Sequence, residues 1–260
     1  MTAVPKPEPA PPFFIVGCVR SGTTMLRDAL RLHPNLACPE ETSFLRWGEA
    51  PGTDNFNRML GTNPVLKHHR ELDGITEDEF RAMLAACTSR GDLYRRYMAL
   101  FIERRKPGAR RWFDKTPQNV YGALLAATTI ERSRFVHIVR DPRNVAASLR
   151  IGKVVKVGHL NGAIAYWTEA VQIMNGLKKA YPGRVLEIRY EDFVADPQAG
   201  LRALLDWLGE SYDPAWFASV DTRLVDHAQE GVLTPAELEQ VVQGCRRGMR
   251  RHGYLPPHES

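Results

Sequence analysis

No apolar run in the sequence approaches the ~20 residues that a membrane-spanning helix needs, and the N-terminal stretch has no hydrophobic segment of signal-peptide type. Neither a membrane span nor secretion is therefore expected. Cysteine is scarce: Cys18, Cys38, Cys87 and Cys245 stand far apart with no Cys-x-x-Cys pair, and no histidines cluster near them at metal-ligand spacing. A disulfide framework and a zinc site are thus not indicated, no metal is expected, and a reducing cytoplasm is the simplest setting. Charge of one sign is equally limited. Lys and Arg total 35 against 30 Asp and Glu, a formal +5, which suits an anionic ligand or acceptor but is too weak a bias to point to nucleic acid. The densest basic run, Arg246, Arg247, Arg250 and Arg251, has the spacing of an exposed helix face. There is no internal repeat. What the chain does have is 43% hydrophobic residues over 260 positions, enough to build and cover one sizeable core.

Residues 1–12 hold five prolines and are expected to form a flexible leader to a single domain over 13–260. Phe13-Phe14-Ile15-Val16 is continuously apolar, as a strand buried on both faces of a parallel sheet would be. Thr23–Leu32 follows with near-helical apolar spacing and stops before Pro34. Residues 50–74, rich in Gly, Pro, Asn and Asp without a clear period, read as an irregular insertion that could form a lid. Helices are predicted at about 76–86 and 93–104, a strand at 111–113, and a helix from near Pro117. Arg134–Val139 reads as a strand running into Arg140-Asp141-Pro142-Arg143 and another helix. A long helix over 160–180, a strand over 184–189, a helix from Pro197 to Leu208 and a capped helix from Thr234 to about His252 complete the pattern. Strands alternating with helices imply an α/β three-layer fold, a central parallel sheet flanked by helices, and the glycine-containing loop Gly17–Thr24 after the first strand makes it P-loop-like.

The chemistry concentrates at Gly17-Cys18-Val19-Arg20-Ser21-Gly22-Thr23-Thr24. Between a buried strand and a helix, backbone N–H groups and the helix dipole point at one place, which makes an anion site. Against the nucleotide-binding pattern Gly-x4-Gly-Lys-Ser/Thr, both glycines and Thr24 match, but Thr23 stands where the phosphate-binding lysine belongs. A kinase or nucleotidase would then be short of charge neutralisation at the transferring phosphoryl group. No strand-end Asp suited to magnesium is evident either.

Arg20-Ser21-Gly22-Thr23-Thr24 resembles the 5′-phosphosulfate loop of sulfotransferases that use 3′-phosphoadenosine 5′-phosphosulfate (PAPS). Val139-Arg140-Asp141-Pro142-Arg143, with Ser148 eight residues after Arg140, resembles their 3′-phosphate motif. The branch containing tyrosylprotein sulfotransferases and related bacterial enzymes is the nearer likeness, through Glu40-Glu41-Thr42, Lys115-Thr116-Pro117 and Arg189-Tyr190-Glu191. The resemblance spans about 13–208 and implies a PAPS-dependent sulfotransferase, with PAPS as co-substrate and a small-molecule or peptide hydroxyl acceptor. Arg20, Ser21, Gly22, Thr23 and Thr24 would bind the phosphosulfate end, and Arg140 and Ser148 the 3′-phosphate. Tyr190 would lie near the adenine or 3′-phosphate, or simply pack at a strand end. Glu41 would be the general base, with Lys115 and Arg20 neutralising charge on the leaving bisphosphate. Glu40, its neighbour, would instead cap a turn or bind a cation; the plainer alternatives are that both Glu40 and Glu41 are solvated loop carboxylates and that Lys115 is a surface lysine before a helix. Two wider alternatives are a P-loop kinase and a PAPS-binding relative without turnover. Where the tyrosylprotein enzymes carry an arginine two positions after the base, this chain has Ser43. Ser219, Thr222 and Thr234 all compete for the place of their C-terminal active-site serine. Of the histidines, His33, His137, His68 and His69 are expected to be structural or exposed.

Overall fold

The computed structural model describes residues 10–152, 158–222, 226 and 230–256. Five parallel strands form one sheet in the order β2-β3-β1-β4-β5: β1 (Phe13–Val16), β2 (Leu36–Ala37), β3 (Arg111–Lys115), β4 (Arg134–Val139) and β5 (Val185–Arg189). Alternating side chains of the central strands enter two separate cores, as the period-2 geometry of a strand requires. Phe14, Val16, Phe135 and Val139 face one way, Phe13, Ile15, Val136 and Ile138 the other. The first face is covered by α5 (Arg90–Arg105), α6 (Ala123–Thr129), α7 (Pro142–Ile151), α8 (Leu160–Ala180) and α11 (Pro235–Arg251), which contribute Tyr94, Ala126, Val145, Trp167 and Val241. The second lies under α1 (Thr23–Arg31), α9 (Tyr190–Ala195) and α10 (Pro197–Leu208) through Leu26, Phe193 and Leu204. All four β1 side chains are 0% exposed; each contributes about 1.5–3 kcal/mol by burial. The three-layer expectation is met.

The 50–74 segment departs from the irregular insertion expected of it. It folds as α2 (Asp54–Thr62) and α3 (Pro64–Asp73), followed by α4 (Glu77–Ala86). Thr53 accepts from the Phe56 N–H, Asn63 from those of Val65 and Leu66, and Pro64 sits in the first turn of α3. Each helix is under three turns and buries few apolar side chains, Phe56 and Leu60 in α2 and Leu66 in α3, so hydrophobic periodicity had too little length to register. The residues after Pro117 form a 3-10 turn, Pro117–Gly122, before α6, not one continuous helix. Tyr190, read as a strand-end residue, opens α9. Residues 1–9 of the expected leader lie outside the described residues, while the Pro12 carbonyl already accepts from Arg134 N–H at 2.9 Å.

The switch in chain order between β3 and β4, on either side of β1, opens a crevice at the carboxyl ends of the strands. Ligands of open α/β sheets bind in such a crevice. The residues that follow β1, β2, β3, β4 and β5 are, respectively, the Gly17–Gly22 loop, Glu40-Glu41, Thr116, Arg140 and Tyr190.

Candidate active site

The loop after β1 is held in backbone conformations that few side chains favour. Arg20 has φ 68° and Gly22 φ 91°. A Cβ on Gly22 would stand 2.5 Å from the Tyr190 ring, so no larger residue fits there without displacing it. The first internal bond of α1 runs from the Leu26 N–H to the Gly22 carbonyl, leaving the N–H groups of Thr23, Thr24 and Met25 without helical partners. Among the described residues no side chain caps this terminus, and its first turn carries no acid. The Ser21 hydroxyl, on a residue 0% exposed, also has no partner among them. Open N–H donors, a positive helix end and an unsatisfied buried hydroxyl together match the oxygens of an anion.

The second motif folds against the first. Arg140, buried at the end of β4, donates from Nη1 to the Arg20 carbonyl at 3.1 Å and stacks on the Tyr190 ring, 4.5 Å from its centroid. Arg20 Nε donates to Ser148 Oγ at 3.0 Å, and the Trp167 indole donates to the Arg140 carbonyl at 2.9 Å. Asp141 caps α7 and pairs with Arg143, directing that guanidinium to Asp141. Arg20, Gly22, Arg140, Ser148 and Tyr190 thus share one cleft. Tyr190, 5% exposed, fills the space between Gly22 and Arg140.

Glu41 and Lys115 meet. Lys115 is 1% exposed and its Nζ donates to Glu41 Oε1 and, at 3.1 Å, to Thr24 Oγ1. A surface lysine is thereby excluded. Glu40 is committed elsewhere: its carboxylate accepts from Arg27 at 2.6 Å and Arg31 at 2.9 Å. Burial would push the Glu40 carboxyl up, but the two guanidiniums outweigh it and hold it below the ordinary carboxylate range. The adjacent acids therefore do different things, Glu40 joining its segment to α1 and Glu41 facing Lys115.

Sequence reasoning did not find the groups that hold this segment. The Glu40 N–H donates to Asp73 Oδ1 at 2.9 Å, and His69 Nδ1 bonds the Glu41 carbonyl at 3.0 Å; both come from α3. Arg90 reaches the carbonyls of Phe44 and Trp47 at 3.0 and 2.7 Å. Asp114, 0% exposed, accepts from the Thr42 hydroxyl at 2.6 Å and the Asn119 amide at 2.9 Å. Burial pushes the Asp114 carboxyl up to about 6 against the opposing pull of Thr42, Thr116 and Asn119. The sequence reading ended this strand at 113, whereas β3 runs to Lys115 and buries Asp114, a position where a carboxylate requires donors.

Most of the remaining candidates have structural partners. His33, just past the end of α1, accepts at Nδ1 from the Asn35 N–H and bonds the Ser211 carbonyl through Nε2. His137 is buried with Nδ1 3.5 Å from Glu187, and His68 lies on the exposed face of α3 beside Glu71. Thr222 donates to the Val194 carbonyl and Thr234 caps α11. Ser219 is exposed, and residues 223–225 and 227–229 lie outside the described residues.

Comparison with known proteins bears on the family. Residues 11–214 match the family model described as "Sulfotransferase family". Protein-tyrosine sulfotransferase 2 of Gallus gallus is 26% identical over 243 residues, covering 88% of this chain and 62% of the relative. The omega-hydroxy-beta-dihydromenaquinone-9 sulfotransferase Stf3 of Mycobacterium tuberculosis is 24% identical over 268 residues, covering 84% and 68%. The chain spans 62% and 64% of the length of two protein-tyrosine sulfotransferases it matches, those of Gallus gallus and Danio rerio. The sulfotransferase domain of the Synechococcus olefin synthase superposes with a TM-score of 0.71 at 22% identity, covering 98% of both chains. A match over most of its length, joined to a like fold, means that this chain belongs to the sulfotransferase family.

Proposed function

We propose that this protein transfers the sulfuryl group of PAPS to an acceptor hydroxyl, with Glu41 as the base. The observation that carries the reading is the joining of the two motifs: Arg140 bonds the Arg20 carbonyl at 3.1 Å, and Arg20 bonds Ser148 at 3.0 Å. Two anion-binding groups side by side suit a ligand with phosphate at both ends of one nucleoside. A mouse sulfotransferase of like fold, TM-score 0.53 at 12% identity, was solved complexed with PAP, the product such a transfer leaves.

The unsatisfied Ser21 hydroxyl and the open N–H groups of Thr23 and Thr24 fit the phosphosulfate end of the donor. Arg140 and Ser148 would hold the 3′-phosphate through charge-assisted hydrogen bonds. When bound, PAPS supplies an activated sulfuryl group whose leaving group is adenosine 3′,5′-bisphosphate. Glu41 takes the acceptor hydroxyl proton as the acceptor oxygen bonds to sulfur and the bond from sulfur to the phosphate oxygen breaks. Lys115, already between Glu41 and Thr24, neutralises the charge that develops on that phosphate oxygen.

The acceptor belongs to the class of small-molecule or peptide hydroxyls. A cavity of about 420 Å³ is lined by Arg46, Trp47, Gln118, Tyr121, Tyr166 and Glu169, residues that follow Glu41 and Lys115 in the chain or stand on α8. Its three aromatic rings suit an acceptor with an apolar or aromatic body. Calorimetry with adenosine 3′,5′-bisphosphate and with ATP plus magnesium tests the donor. Tight binding of the bisphosphate and none of ATP is expected; preference for ATP would overturn the reading. Transfer of radiolabelled sulfate from PAPS to 2-naphthol, a tyrosyl peptide and a long-chain alcohol then defines the acceptor.

A further inference from the structure

We infer that Asp114 is the hub of a buried clamp that positions Glu41 against Lys115. The inference rests on the proposed roles of those two residues. Between β2 and α2 the chain forms no regular ladder, so the place of Glu41 must be set by side chains. The residues immediately after it are tied to the end of β3. The Thr42 hydroxyl donates to Asp114 Oδ2 at 2.6 Å, and the Thr42 N–H to Thr116 Oγ1 at 3.1 Å. The Leu45 N–H donates to Asn119 Oδ1 at 3.1 Å, while the Asn119 amide donates to Asp114 Oδ1 and, at 3.0 Å, to the Tyr94 hydroxyl.

The directions of these bonds follow from the inventory of donors. Because Thr42 gives its proton to Asp114, the Tyr94 hydroxyl, 3.1 Å away, donates to Thr42. The Thr116 hydroxyl accepts from the Thr42 N–H and, beside Asp114, helps to hold that carboxyl down. Asp114, Thr116, Asn119, Tyr94 and Thr42 are each no more than 5% exposed, and a buried network whose members are all partnered adopts one arrangement. Lys115 lies between Asp114 and Thr116 in the chain, so one network grips both sides of the Glu41–Lys115 contact. The turn it holds is a strained one: Ser43 has φ 58°, a conformation a non-glycine residue keeps only when its surroundings impose it.

The test compares Thr42→Val, which keeps the shape and removes the hydroxyl, with Thr42→Ser, which keeps the hydroxyl. Thr42→Val is expected to lower kcat at least tenfold, with the KM for PAPS and the bisphosphate affinity within about twofold of wild type; Thr42→Ser is expected within about threefold of wild-type kcat. A crystal structure of Thr42→Val is expected to show Glu41 and Lys115 beyond salt-bridge distance. Equal kcat losses in the two variants, or an intact Glu41–Lys115 contact in Thr42→Val, would overturn the clamp. Should Thr42→Val not fold, Thr116→Val against Thr116→Ser gives the same comparison with the same outcomes. If Glu41→Gln retains wild-type turnover, the base assignment fails, and the crystallographic comparison still decides whether the clamp sets the contact.

Discussion

At the scale of single residues, the two neighbouring acids show how position divides chemistry. Glu40 has two arginines and a closed set of bonds, whereas Glu41 has one lysine and a half-exposed carboxylate. Of the two, Glu41 has the fewer fixed partners, which suits the base proposed above. Glu41→Gln is expected to lower transfer by roughly 10²–10⁴-fold, the usual worth of a general base, with bisphosphate affinity within about twofold; undiminished turnover would remove Glu41 from the mechanism. Arg140→Ala removes a buried guanidinium that sits over Tyr190. Since hydrogen bonds to charged groups contribute about 1.5–3 kcal/mol, bisphosphate affinity should fall roughly 10–100-fold in a calorimetric titration. Arg140→Lys should not restore it, because an ammonium has neither the fork nor the stacking face. Unchanged affinity would place the 3′-phosphate elsewhere.

At the scale of elements, the loop after β1 packs against α9 at Gly22 and Tyr190. Gly22→Ala would force a Cβ to 2.5 Å from Tyr190 at φ 91°, and should cost roughly 1–3 kcal/mol in denaturant unfolding while weakening the bisphosphate. A variant that unfolds and binds like wild type would mean that the ring does not press on the loop. The joint between Glu40 and α1 has a pH signature. Its carboxyl is held below the ordinary value in the folded state by Arg31 and Arg27. A depressed value means that the stabilisation is whole above the ordinary carboxylate range and is lost as pH falls through the folded value. Glu40→Gln should therefore be less stable by roughly 2 kcal/mol at neutral pH, and the gap in Tm should narrow on acidification. A gap that stays constant from neutral to acid pH would show that the ion pairs contribute nothing. The elements also show where sequence reading stops. The long helix predicted over 160–180 is α8, Leu160–Ala180, because 21 residues carry several turns of pattern. Strand β2, two residues long, and helices α2, α3 and α9 carry too few buried positions for any period to emerge.

At the scale of the whole molecule, the proposed binding is linked to folding, because a ligand spanning the β1 loop, β4 and α7 would bind only the folded chain. Bisphosphate at 100 times its Kd should add about 2.7 kcal/mol, which for a chain of this size raises Tm by roughly 5–10 °C. ATP with magnesium at the same concentration should leave Tm unchanged, and an equal rise with ATP would return the molecule to the nucleoside-triphosphate class.

The alternation of buried strands and helices and the anion-binding loop with threonine in place of lysine were determined by local sequence, through short-range rules: continuous apolar runs, caps and the need for bare N–H groups at a helix start. The partnership of that loop with the Arg140 motif was implied by the resemblance to the family. The contact of Arg140 with Arg20, the pairing of Glu40 with Arg27 and Arg31, the support of the Glu40-Glu41 segment by Asp73 and His69, and the bonds around Asp114 were decided only by the tertiary structure. These join residues many positions apart through side-chain bonds, and no periodicity records which buried donor will meet which acceptor.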